Sequence, residues 1–203
     1  MAAAAPIAVC CSGRGTNLEA ILRAIRRGSL RARVAVVISD NPRSGALVRA
    51  RAAKIQTAVI LPAKFPSREA FDKALARVIE RSGARIIVLA GFMRILSPWF
   101  IRRFRGKILN IHPALLPAFA GANGVRDALA HGAKITGVTV HFVDEKVDHG
   151  PIILQAPVAV LEKDTQESLH ARIHRVEHRL YPQAIQRVLA GRVRIAGRKV
   201  LIS

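Results

Sequence analysis

At 203 residues and 51% hydrophobic side chains, the chain can build a full core, and no apolar run approaches the roughly 20 residues of a membrane span. Thirty-three Lys and Arg against thirteen Asp and Glu give a formal charge of +20, which calls for anionic partners. The basic residues are spread along the chain, Arg23, Arg49, Arg102 and Arg175 among them, with no interleaved aromatics to stack bases. That argues for a solvated basic surface that steers small anions, and against nucleic acid as the partner.

Met1 to Pro6 lacks the basic segment that opens a secretory leader, so a cytoplasmic protein is expected. A first strand is expected over Ile7–Cys11. Its adjacent cysteines, Cys10 and Cys11, point to opposite faces and suit packing rather than a disulfide. Asn17–Arg27 is expected as a helix, Val34–Ser39 as a strand, Gly45–Ala53 as a helix and Thr57–Leu61 as a strand. Ser67–Ser82 carries a long amphipathic pattern with Ser67 as N-cap. A buried strand Ile86–Ala90, a short helix after Pro98 and a strand Ile108–Ile111 follow, then a helix around Val125–His131. Alternation of this kind predicts an α/β fold: a Rossmann-like, mostly parallel open sheet with helices on both faces.

The later pattern differs. Thr136–Val143 and Ile152–Val160 read as antiparallel strands, followed by a long helix opened by a capping box of Asp164 and Glu167. Pro182 is expected to end or kink that helix. Val193–Ile195 and Val200–Ile202 around Gly197 read as a small hairpin. No repeat or linker interrupts residues 1–203, so one domain is expected.

Two stretches carry chemistry. Ser12-Gly-Arg-Gly-Thr-Asn17 joins the first strand to the first helix. A helix N-terminus offers free N–H groups and partial positive charge, and Gly13 and Gly15 let an anion approach, so a monophosphate suits the loop. A dinucleotide does not, because Leu18 stands where the third glycine belongs. Asn110-Ile-His-Pro113 ends a strand and Asp148 precedes Gly150-Pro151. Strand ends in such sheets open onto the ligand crevice. There an amide, an imidazole and a carboxylate could polarise a carbonyl and move a proton. A pair of unrelated turns would explain the same residues.

Taken together, five segments resemble the glycinamide ribonucleotide formyltransferase family across nearly the whole chain: Ser12–Leu18, Leu89–Ser97, Asn110–Pro117, Gly137–Pro151, and Glu177-His178 with Tyr181-Pro182. The resemblance implies formyl transfer from 10-formyltetrahydrofolate to the amine of 5'-phosphoribosylglycinamide in de novo purine synthesis, with no metal. It assigns Gly15, Thr16 and Asn17 to the acceptor's phosphate and Glu177 to its glycinamide end. It assigns Arg68, Met93, Arg94, Ile95, Leu96 and Asn110 to the folate, with the pteridine along the Met93–Leu96 backbone. His112 becomes the proton carrier, Asp148 its partner and Asn110 the oxyanion donor. A carboxylate near His112 is expected to raise the charged fraction of the ring at neutral pH. Ala114 stands where many relatives have Ser, and Asn123 where many have His; the mechanism needs neither side chain.

Three rivals remain. His174-Arg-Val-Glu-His178 matches a zinc-peptidase string, with His170 on the same helical face, but no second ligand cluster accompanies it. Hydrolysis of the formyl folate would put water in place of the amine. A basic nucleic-acid binder would show salt-dependent binding and no turnover.

Overall fold

The computed structural model describes residues 4–203; Met1, Ala2 and Ala3, part of the start read for a leader, lie outside them. The chain divides into two compact units, one ending at Leu109 and the other running from Asn110 to Ser203.

The first unit alternates β1 (Ala5–Cys11), α1 (Thr16–Arg26), β2 (Ala32–Ser39), α2 (Gly45–Ala52), β3 (Thr57–Val59), α3 (Arg68–Arg81), β4 (Ile86–Leu89) and α4 (Pro98–Arg103). Its strands run in the order β3-β2-β1-β4, with β1 parallel to β2 and β4, and β2 parallel to β3. Strands covered on both faces need unbroken apolar runs. Ile7, Val9, Val36, Val37 and Val88 supply them, all fully buried. Cys10 and Cys11 are free and buried in the same layer; burial pushes the Cys11 thiol up to about 12 and the Cys10 thiol higher still. The strand expected to reach Leu61 stops at Val59. Pro62 has no N–H to give a ladder, and Pro62–Lys64 forms a 3-10 turn instead. Ser67 caps α3 as expected, accepting the Ala70 N–H at 3.1 Å.

The second unit carries β5 (Ile108–His112, which begins two residues earlier), α5 (Gly124–Ala130), β6 (Ile135–Phe142), β7 (Ile152–Ala159) and α6 (Gln166–Leu189). β8 (Val193–Ala196) and β9 (Lys199–Ile202) close it as the expected hairpin. The strand order is β5-β6-β7, with β6 and β7 antiparallel in the register Val138↔Ala156 and Val140↔Leu154. Gly137 is fixed by that pairing, because a Cβ there would enter the Ala156 carbonyl and the Leu115 side chain. The α6 helix lies on β6 and β7 and buries Leu169, Ile173, Tyr181 and Ile185. The mostly parallel α/β class read from the sequence is the class observed.

Two details of α6 bear on the sequence reading: the cap it named is not the one used, and of an end or a kink at Pro182 the end does not occur. The box is built by Thr165 and Ser168: Thr165 Oγ1 accepts the Ser168 N–H, and Ser168 Oγ accepts the Thr165 N–H. Asp164 is engaged elsewhere, gripping Arg172 through both carboxylate oxygens at 2.6 and 2.8 Å. Pro182 does not end the helix, which runs seven residues further. Burial of Tyr181, Pro182, Ala184 and Ile185 on the core side outweighs the one backbone bond that proline removes.

Candidate active site

In the second unit, β5 ends at His112 and the loop after β6 returns Asp148 to it. The His112 ring is 4% exposed. Its Nδ1 lies 3.2 Å from Asp148 Oδ2, and its Nε2 lies 2.8 Å from the Phe119 carbonyl oxygen. Both ring nitrogens therefore face acceptors, and a doubly protonated ring would have a partner for each N–H. Asn110, one strand period earlier on β5, points to the same group: its Nδ2 is 3.4 Å from Asp148 Oδ1. The three side chains read from distant parts of the sequence come together here.

A fourth joins them that the sequence reading did not single out. His141 is 1% exposed on β6, with Nε2 3.3 Å from Asn110 Nδ2 and 3.6 Å from Asp148 Oδ1. Its Nδ1 sits 2.8 Å from the Phe142 carbonyl, so that nitrogen carries a proton; Nε2 accepts from Asn110 in the neutral ring and faces Asp148 as an N–H in the charged one. The signal was present: Thr139 and His141 alternate with Val138, Val140 and Phe142, a polar face on a strand buried from Thr136 onward. Thr139 uses that face to donate to the Ala114 carbonyl at 2.7 Å and accept the Leu116 N–H at 3.0 Å, which sets the path of the chain leaving His112.

Asp148 adopts φ 51°, a left-handed conformation uncommon outside glycine. Its Oδ2 accepts the Gly121 N–H at 2.9 Å. Burial acts to raise its pKa, but the His141 contact, the Gly121 N–H and the charges of His112 and His141 outweigh it. The carboxyl is held below its usual value. The loop closes behind it on Gly150, where any Cβ would fall on the Phe142 carbonyl.

Glu177, on α6, is 3% exposed, with Oε2 3.0 Å from His174 Nδ1. The rings of His170, His174 and His178 follow one another at 4.1 and 5.8 Å between centroids. Among the described residues no group of three or more His, Cys, Asp or Glu has an arrangement that could hold a metal.

In the first unit, Gly15 caps α1 at φ 77° with no side-chain cap at that position. Two of the loop's carbonyls are taken up by the second helix: Ser44 Oγ donates to Gly13 O at 2.7 Å and Arg49 Nε to Arg14 O at 3.1 Å. The Met93–Leu96 segment adjoins this loop, since Met93 N–H donates to Ser12 Oγ at 2.9 Å. Within it the side chains do different things. Met93 and Ile95 are 73% and 63% exposed, Leu96 is core, and Arg94 is paired with buried Asp40 at 2.6 Å. Arg68 is exposed at the start of α3, and buried Asp72 on the same helix accepts the Ser97 N–H. Burial, only partly offset by Ser97 and Arg68, raises the Asp72 pKa.

A strand-end imidazole held by a carboxylate, beside an amide donor, on an α/β frame, is an arrangement able to polarise a carbonyl and move a proton. Residues 5–185 match the family model described as Formyl transferase, and the chain belongs to that family. It is 44% identical over 189 residues to the phosphoribosylglycinamide formyltransferase of Haemophilus influenzae, covering 93% of this chain and 89% of the relative. The trifunctional purine biosynthetic protein adenosine-3 of Gallus gallus is 46% identical over 93% of this chain, which spans only 19% of that relative's length. Among solved structures, glycinamide ribonucleotide transformylase 1 from Symbiobacterium toebii superposes with a TM-score of 0.96 at 51% identity, covering 98% of this chain and 93% of that one.

Proposed function

We propose that the chain is a single-domain phosphoribosylglycinamide formyltransferase, acting in the cytoplasm on small-molecule substrates in de novo purine synthesis. It moves a formyl group from 10-formyltetrahydrofolate to the amine of 5'-phosphoribosylglycinamide. The observation that carries this is the His112 ring held between Asp148 and the Phe119 carbonyl with Asn110 alongside. The relatives that bear this name over nine-tenths of both chains support the same reading.

In this reaction the neutral amine attacks the formyl carbon, and the carbonyl oxygen gains charge as the carbon becomes tetrahedral. Asn110 Nδ2 donates to that oxygen; a donor of this kind is worth about 10²–10³ in rate. The bond from carbon to the folate nitrogen then breaks, and the proton lost by the amine ends on that nitrogen, carried by His112. Asp148 stays ionised and holds the ring in place. Gly15, Thr16 and Asn17 take the acceptor's phosphate and Glu177 its glycinamide end. The folate lies along the backbone of Met93, Arg94, Ile95 and Leu96, with Arg68 for its acidic tail and Asn110 at the formyl group. The exposed Met93 and Ile95 side chains offer it apolar surface, while the Arg94 guanidinium stays on Asp40. No metal enters any step.

The test is to mix both substrates with the folded protein and follow the folate absorbance. Acceptor-dependent conversion to tetrahydrofolate supports the proposal. Absence of that change, or release of formate that proceeds equally without acceptor, overturns it.

A further inference from the structure

The loop between β6 and β7 holds Asp148 in a backbone conformation that costs free energy, so something must hold the loop. Part of the restraint is internal. Asp144 Oδ1 accepts the Lys146 N–H at 3.0 Å, its Oδ2 lies 2.8 Å from His149 Nδ1, and Phe142 N–H donates to the Pro151 carbonyl at 2.9 Å. The remainder comes from the far end of the chain. Gly197, at φ 60°, turns the β8–β9 hairpin and sets Arg198 over the loop. Arg198 Nη2 donates to the His149 carbonyl at 3.0 Å, and Nη1 lies against the His149 ring, 3.1 Å from Nδ1 and nearer still to Nε2.

Being this close to both ring nitrogens, Nη1 packs over the edge they share rather than along the Nε2 lone pair, while Nδ1 faces Asp144. The guanidinium thus fixes both the backbone and the ring of the residue next to Asp148. A planar fork does this better than a flexible ammonium, because two donors leave one rigid face.

We propose that Arg198 is a positioning residue for the reaction: by clamping His149 from the C-terminal hairpin, it holds the loop that presents Asp148 to His112. This rests on the reading of His112 and Asp148 as the proton-handling pair. Its reporter does not, because the Gly121 N–H is bonded to Asp148 Oδ2 and its exchange with solvent reads the placement of that carboxylate directly.

The experiment compares the wild type with Arg198→Ala, Arg198→Lys and, as a control on the same hairpin, the exposed Arg194→Ala. Arg198→Ala is expected to lower kcat about 10- to 100-fold, the scale on which small misplacements of reacting groups act. The acceptor KM should change less than about twofold on the same argument, and Gly121 exchange should quicken. Arg198→Lys should recover part of both effects and Arg194→Ala should show neither. Unchanged kcat and unchanged Gly121 exchange in Arg198→Ala would overturn the proposal, as would equal losses in Arg194→Ala. If the wild type transfers no formyl group, the functional reading fails, and Gly121 exchange alone still decides the clamp.

Discussion

Replacing Asp148 by Asn changes the charge facing two imidazoles with almost no change in volume. In the wild type, Asp148 meets the Gly121 N–H at 2.9 Å, His112 Nδ1 at 3.2 Å, Asn110 Nδ2 at 3.4 Å and His141 Nε2 at 3.6 Å. The Gly121 and Asn110 groups are donors and His112 Nδ1 is one in the charged ring, so an amide NH₂ turned toward any of these three meets another N–H; only the neutral His141 Nε2 could accept it. The attraction of the carboxylate for a protonated His112 across 3.2 Å comes to about 5 kcal/mol at an effective dielectric of about 20. An amide oxygen retains part of that as an ordinary hydrogen bond, about 1 kcal/mol net. The expected loss of transition-state stabilisation is then about 2–4 kcal/mol, or roughly 30- to 1,000-fold in kcat. Steady-state turnover at saturating levels of both substrates measures it, and calorimetric binding of the phosphorylated acceptor provides the control. His112→Ala should fall in the same way. A loss below about threefold in kcat, or a loss confined to acceptor affinity, would refute the reasoning and leave Asp148 a structural anchor for Gly121.

Three other substitutions test the supports. Gly15→Ala demands a left-handed alanine whose Cβ would lie 2.6 Å from the Ala46 Cα; it should raise the acceptor KM and lower Tm, at a cost of about 1–3 kcal/mol. Gly150→Ala forces the loop off the Phe142 carbonyl, so kcat should fall at least as far as in Asp148→Asn. Asp72→Asn removes a buried carboxyl whose folded pKa is raised above its unfolded value. That group's stabilising contribution is present below the unfolded pKa and lost as pH rises through the folded one. The variant should therefore gain Tm relative to the wild type at pH 7.5 and lose that advantage near pH 4. An equal Tm difference at both pH values would mean that Asp72 acts through the Ser97 hydrogen bond alone.

What the sequence made legible follows from which forces were local. Apolar runs such as Val34–Ser39 and Ile86–Leu89 can only be strands covered on both faces, so the parallel sheet was readable. Asn110, His112 and Asp148 stood out because polar groups at strand ends have few structural uses. His141 was readable in principle and was passed over as one residue of an apolar strand. The Phe119 carbonyl was not readable at all, since a backbone acceptor leaves no mark in the residue string; only the path of the chain, φ 54° at Phe119, presents it. Asp164 and Thr165 are equally good caps locally, and the choice was made by Arg172, eight residues on. Pro182 failed as a stop for the opposite reason: a strong local signal met a larger tertiary one in the buried surface around Tyr181.

The contacts of the site differ in how readily they can be exchanged. Asn110 makes two long ones, 3.3 and 3.4 Å, to groups that have other partners. In the role proposed for Asn110, giving them up to donate to a developing oxyanion costs little, because Asp148 keeps Gly121 and His112, and His141 keeps the Phe142 carbonyl. His112 is in a different position: its Nε2 contact with the Phe119 carbonyl is short, and Gly124 lies close behind, where a Cβ would sit 3.0 Å from the Phe119 oxygen and 3.1 Å from Nε2 and press on both. Its Nδ1 is occupied by the carboxylate. On the role proposed for His112, its Nε2 proton reaches substrate once the Phe119 contact is exchanged, which a shift of the segment from Phe119 to Gly124 would allow while Asp148 stays. The Gly121 N–H bond to Asp148 lies within that same segment, which makes the carboxylate both the partner of the ring and the tether of the chain that covers it.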